Sequence, residues 1–177
     1  MNESIVSLSA ANHRSAPGST SLLLESAMYE LKVIRERRTD ALPRRVVCNA
    51  REIYDLFQPR FVRADREEFL VVPLDAKNAI LGFHVVSVGS LTASLVHARE
   101  VFKVAILANA AALVFVHNHP SGDPFPSAHD LALTTRLAEV GDLMGIAVLD
   151  HIIMGDNRYV SFVEDGYLPP RTVPGDT

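Results

Sequence analysis

The chain has 177 residues, 48% of them hydrophobic and 21% charged, and no apolar run long enough to span a bilayer, so it reads as one soluble globular domain. A single cysteine, Cys48, excludes an intramolecular disulfide framework and every Cys-rich zinc motif, and it fits a reducing compartment, with the cytoplasm the expected location. The net charge of −4 divides into +3 over residues 1–66 (11 Lys+Arg against 8 Asp+Glu) and −7 over residues 67–177 (6 against 13), which argues against a duplex-gripping surface on the larger part of the chain.

Residues 1–20 are rich in Ser, Ala and Asn, carry no signal-peptide pattern, and are expected to form a disordered leader. Within residues 21–46, Leu23, Met28, Leu31 and Ile34 recur at helical spacing, so a helix is expected over residues 22–38, followed by a linker. The main domain is expected over residues 47–166, and a flexible, Pro-rich tail over residues 167–177.

At the start of that domain, Asn49 and Glu52 form a capping-box-like helix start, and Pro59 is expected to stop the helix. Phe69 to Leu74, a turn over residues 75–78, and Ala79 to Val88 read as a β-hairpin. Pro73 cannot donate to a ladder, which predicts an edge strand or a bulge at that point. A helix is expected over residues 98–110, then an apolar strand from Leu113 to His119 buried on both faces. A Pro/Gly loop leads to a helix from Ser127 to about Met144, with Gly145 as its stop. Ile146 to Met154 and Tyr159 to Phe162 read as a closing hairpin.

The chemistry concentrates in residues 117–130, which hold His117, His119 and His129, three of the seven histidines. Alternate residues of a strand share a face, so His117 and His119 project side by side, as two ligands of one tetrahedral ion require. The loop then reverses, and Asp130 in the first turn of the next helix can return a carboxylate to the same point. Two imidazoles and a carboxylate with a fourth position for water make the ligand count of a catalytic zinc site, where the metal lowers the pKa of water from about 16 to about 7. Ser127 and Asp130 also form a capping box, which by itself accounts for both residues.

The pattern His117-x-His119-Pro120, six residues, Ser127, two residues, Asp130 resembles the JAMM motif of the JAB/MPN zinc metallopeptidase superfamily, and His117 to Pro124 is similar to its RadC-like branch. Residues 74–78, 96–102, 148–151 and 155–161 resemble RadC segments in the same order. The chain departs from the branch at Ala98, where Pro is usual, and at Pro73.

The resemblance implies an α/β fold of the JAB/MPN, cytidine-deaminase-like type, a twisted mixed sheet flanked by helices. It implies His117, His119 and Asp130 as the Zn2+ ligands, Ser127 as the residue that helps hold the water or the oxyanion, and Glu67 as the general base. By residue type alone Glu67 and its neighbour Glu68 are equivalent, and either reads equally as a solvated turn carboxylate. His97 and His151 read either as partners that orient a ligand or as satisfied core histidines, and Glu100 as a charge complementing a helix dipole.

The activity so implied is hydrolysis of a peptide or isopeptide bond by a zinc-activated water. The alternative is a DNA-associated accessory protein in which the zinc site is structural or acts on a phosphodiester. Residues 1–46 are too short for the helix-hairpin-helix region of full-length RadC relatives, so nucleic-acid binding is expected to be weak or absent.

Overall fold

The structure is a computed structural model, and it describes residues 9–10, 29–30, 45–89 and 96–173. The chain divides into two compact units, Met1–Ala41 and Leu42–Thr177. In the first, β1 (Ser9–Ala10) pairs antiparallel with β2 (Tyr29–Glu30). Tyr29 and Glu30 are therefore paired strand residues where the apolar spacing predicts helix. The remainder of that expected helix, and the expected leader apart from β1, lie outside the described residues.

The second unit carries α1 (Ala50–Phe61), β3 (Glu68–Leu74), β4 (His84–Val88), α2 (Ala98–Leu107), β5 (Ala112–Asn118), α3 (Ala128–Met144), β6 (Ala147–Met154) and β7 (Tyr159–Ser161). The strands form one mixed sheet in the order β4-β3-β5-β6-β7, in which only β5 and β6 run parallel, joined by α3 as a crossover. This is the expected α/β architecture of a mixed sheet flanked by helices.

Strand alternation divides the core into two layers. Phe69, Val71, Leu113 and Phe115 face α2 and α3 and pack with Val101, Phe102, Leu133 and Leu137. Leu70, Val72, Val114 and Val116 face the other way and pack with Ile53 and Phe57 of α1. Covered on both sides, β5 is buried along its whole length, as its unbroken apolar run predicts. Among the described residues no helix is long and apolar enough to cross a membrane.

Three further expectations are corrected. Pro59 does not stop α1, which continues to Phe61. Its missing N–H falls in the last turn, where one bond is lost, and Phe57 and Phe61 still pack on the sheet. Nor does Pro73 mark an edge: β3 lies between β4 and β5, and the irregularity in its pairing with β4 falls between Phe69 and Leu70. The Pro73 carbonyl accepts from the Leu81 N–H, so its nitrogen faces the same side, where the β3–β4 ladder has already ended at Val71. The tail expected to be loose from residue 167 is packed as far as it is described, with Leu168 and Val173 buried in the two core layers and Arg171 paired to Asp142 at 2.8 Å.

Candidate metal centre

The C-terminal end of β5 meets the start of β3 and the first turn of α3, and the three junctions deliver the site. Phe69 of β3 sits opposite His117, which places the residues just before β3 beside the end of β5. His117 is fully buried on the α2/α3 side of the sheet. His119 follows the strand, its N–H bonded to the Met154 carbonyl at 2.8 Å, and the Nε2 atoms of the two imidazoles approach to 3.0 Å.

The other nitrogen of each ring is occupied. His119 Nδ1 donates to the Asp123 carbonyl at 2.7 Å, which leaves Nε2 turned inward. His117 Nδ1 lies 2.7 Å from Nε2 of His151, a buried β6 residue. The loop supplying the Asp123 carbonyl is pinned at Gly122, whose φ of +82° suits glycine. There the Gly122 carbonyl accepts from the Asp156 N–H at 2.9 Å.

Asp130 reaches the same point from α3. Its Oδ1 is 3.5 Å from His117 Nε2, and its Oδ2 is 3.6 Å from His119 Nε2. Ser127 caps the helix through a complete capping box: its Oγ accepts from the Asp130 N–H at 3.2 Å and its own N–H donates to Asp130 Oδ2 at 2.8 Å, while its hydroxyl also donates to that oxygen at 2.6 Å. The hydroxyl proton is thus committed to the carboxylate, which Ser127 orients. Asp130 Oδ1 is left buried without a hydrogen-bond partner, aimed at the imidazole pair.

Strand alternation separates the two glutamates. Glu67 Oε1 lies 3.6 Å from His119 Nε2. Glu68 turns away, and its Oε2 accepts from Arg60 Nε at 3.0 Å and Nη2 at 2.6 Å. The peptide on either side of Glu67 is held by Asn118, whose Oδ1 accepts from the Glu68 N–H at 2.8 Å and whose Nδ2 donates to the Arg66 carbonyl at 2.9 Å. The Glu67 carbonyl accepts from the Gly89 N–H at 2.8 Å.

Of the remaining histidines, His97 is the N-cap residue of α2, His129 is exposed, and His151 joins the cluster. Glu100 lies in the first turn of α2 and pairs with Lys103. Thr134, one turn beyond Asp130 on α3, also reaches the cluster, with its Oγ1 2.6 Å from His151 Nδ1. Its i+4 spacing places it on the same face of α3 as Asp130, which is as far as the sequence could have led.

The electrostatics match a cation site. Burial alone would raise the Asp130 pKa, but His119, His117 and the bonds from Ser127 outweigh it and hold the carboxyl well below its usual range. Burial would lower His119, yet Asp130, the Asp123 carbonyl and Glu67 raise it above the ordinary histidine value. Burial, reinforced by His151, depresses His117, and burial takes His151 down to about 3. Two imidazole lone pairs cannot face each other at 3.0 Å unless positive charge lies between them, either a proton or a metal ion.

The donor set fits a metal. The ligating atoms of Glu67, His117 and His119 lie within 4.8 Å of one another, and the partnerless Asp130 oxygen adds a carboxylate. Nitrogen and oxygen donors of this kind suit a divalent ion such as zinc. A solvent-open cleft of about 250 Å3 abuts His119, lined by Gln58, Phe61, Asn118, Pro120 and Asp156 among others.

Comparison with known proteins gives the family. The RadC-like JAB domain family matches residues 47–167. A UPF0758 protein of Methanosarcina acetivorans is 51% identical over 126 residues, covering 71% of this chain and 55% of the relative. A UPF0758 protein of Pelobacter propionicus is 52% identical over 132 residues, covering 75% and 57%, and one of Desulfitobacterium hafniense is 49% identical over 134 residues, covering 76% and 59%. The aligned part of the chain thus spans a little over half the length of these relatives. With the family matched over residues that include the whole five-stranded sheet and all three histidines of the cluster, the chain belongs to the RadC-like JAB domain family.

Proposed function

We propose that the protein is a zinc-dependent hydrolase of amide bonds, peptide or isopeptide, with His117, His119 and Asp130 as the metal ligands and Glu67 as the general base. The observation that carries this reading is the convergence of two imidazole Nε2 atoms at 3.0 Å, with a partnerless buried carboxylate oxygen on one and an acidic side chain within 3.6 Å of the other. Zinc, when bound, supplies Lewis-acid polarisation of a carbonyl and lowers the pKa of water to about 7.

The chain's own residues supply the rest. Glu67, held by Asn118 through the flanking peptides, accepts a proton from the attacking water and returns it to the departing amine. Ser127 fixes the Asp130 carboxylate, and donation to a developing oxyanion requires its hydroxyl to rotate off Oδ2. The cleft beside His119 gives a substrate access from solvent. The DNA-associated alternative needs a basic stripe near the site, and the −7 balance (6 Lys+Arg against 13 Asp+Glu) of residues 67–177 weighs against one.

The test couples metal analysis with mass-spectrometric screening of peptide and isopeptide cleavage. The wild type is expected to hold one zinc per chain and His117→Ala to hold none. Glu67→Gln keeps size and one oxygen but cannot take the proton, so it should retain zinc and lose roughly 10² to 10⁴ in turnover. Wild-type protein without stoichiometric zinc after expression with zinc supplied would overturn the metal assignment, and full turnover by Glu67→Gln would overturn the base.

A further inference from the structure

Behind His117 lies a buried chain of polar groups that the hydrolytic reading does not use. His117 Nδ1 is 2.7 Å from His151 Nε2, His151 Nδ1 is 2.6 Å from Thr134 Oγ1, and Thr134 Oγ1 is 2.6 Å from the Asp130 backbone carbonyl. His117, His151 and Thr134 are each at most 1% exposed, and His151 is enclosed by the rings of Phe69, Phe115 and Phe162 at 4.7 to 5.8 Å. Water has no ready access to these groups.

The direction of the chain follows from its fixed end. A carbonyl oxygen only accepts, so the single Thr134 proton goes to Asp130, and the hydroxyl must accept from His151 Nδ1–H. A neutral His151 protonated at Nδ1 is bare at Nε2, so it accepts from His117 Nδ1–H. His117 is then bare at Nε2, the atom that faces His119 and Asp130. The reverse arrangement would place a proton on His117 Nε2 and abolish it as a ligand.

We infer that Thr134 and His151 are positioning residues that fix the tautomer of His117, so that its lone pair points into the metal cradle. The relay starts on the backbone of one proposed ligand, Asp130, and ends on the ring of another, so the two are set together. This inference rests on the metal reading above. It assigns the orienting role, which a carboxylate, a carbonyl or water usually plays for a metal-bound histidine, to a second imidazole backed by a hydroxyl.

Thr134→Val keeps the side-chain volume but leaves His151 Nδ1–H without an acceptor, which drives the proton to Nε2 and the relay into reverse. Thr134→Ser restores the hydroxyl. Zinc affinity read by chelator competition should fall about 10- to 100-fold in Thr134→Val and stay within a few-fold of wild type in Thr134→Ser. A purely packing role would be spared by Val, so equal zinc affinity in Val and wild type overturns the inference.

Nitrogen-15 NMR of the imidazoles in the wild-type protein without metal gives a second readout that depends neither on zinc binding nor on the folding of a variant. His117 should be protonated at Nδ1 and bare at Nε2, and the opposite tautomer would refute the relay. A wild type that binds no zinc but shows the expected tautomer would overturn the metal reading and leave the relay standing.

Discussion

Lowering the pH should destabilise the metal-free protein through its buried neutral histidines, and His151 sets the size of the effect. It is fully buried, and burial depresses its pKa from 6.5 to about 3. For a base depressed in the folded state, the unfolded chain takes up a proton between those values and the folded chain does not, so stability is lost as pH falls through that window. The slope is about 1.4 kcal/mol per pH unit well below 6.5, and the gradual onset near 6.5 limits the loss between pH 7 and pH 5 to about 2 kcal/mol from His151 alone.

His117 is shifted in the same direction and adds to the loss. His119 is raised, so its contribution is fully present below 6.5, is lost as pH rises through its folded value, and partly offsets the other two. Asp130 is depressed below 3.8, so its contribution stays intact over this range and is lost only in stronger acid. Urea denaturation at pH 7, 6 and 5 in the presence of a chelator measures the sum, and the same series on His151→Gln isolates the residue. The variant's loss of stability from pH 7 to 5 should be smaller by about 2 kcal/mol. An identical pH dependence in the two proteins would refute the assignment of His151 as a buried neutral base.

Two further perturbations test the supports of the site. Asn118→Ala strips the Glu68 N–H and the Arg66 carbonyl of their side-chain partner, which should cost about 1–3 kcal/mol in urea denaturation while zinc content is retained and amide hydrolysis falls, because Glu67 is no longer held. Gly122→Ala combines a φ of +82° with a Cβ that would lie 2.5 Å from Asp156 Oδ2, a strain of order 1–3 kcal/mol. Isothermal titration should show weaker zinc binding, because the loop that presents the Asp123 carbonyl to His119 is displaced.

What could be read from the sequence follows the range over which each residue acts. His117 and His119 are legible as neighbours because their spacing is a strand period, and Asp130 because a reversing loop brings the first turn of α3 back to the end of β5, whereas its capping box with Ser127 explains only the helix start. Both prolines were misread for a common reason. A missing donor matters only where a partner would have used it: at Pro59 this is one bond in a final turn, and at Pro73 it faces a ladder that has already ended. Glu67 and Glu68 are indistinguishable by type, and what separates them is the pleat of β3 together with Arg60 on α1, which takes Glu68.

His151 and Thr134 were less legible still, since their meaning depends on the parallel register between β5 and β6. That register sets His151 opposite Phe115, on the same face as His117, while α3 crosses between the two strands and brings Thr134 up beneath it. A local pattern states which residues share a face of one element. Which faces meet is decided by the topology, and in this fold the topology supplies both the carboxylate that approaches the histidine pair and the hydrogen-bonded chain behind it.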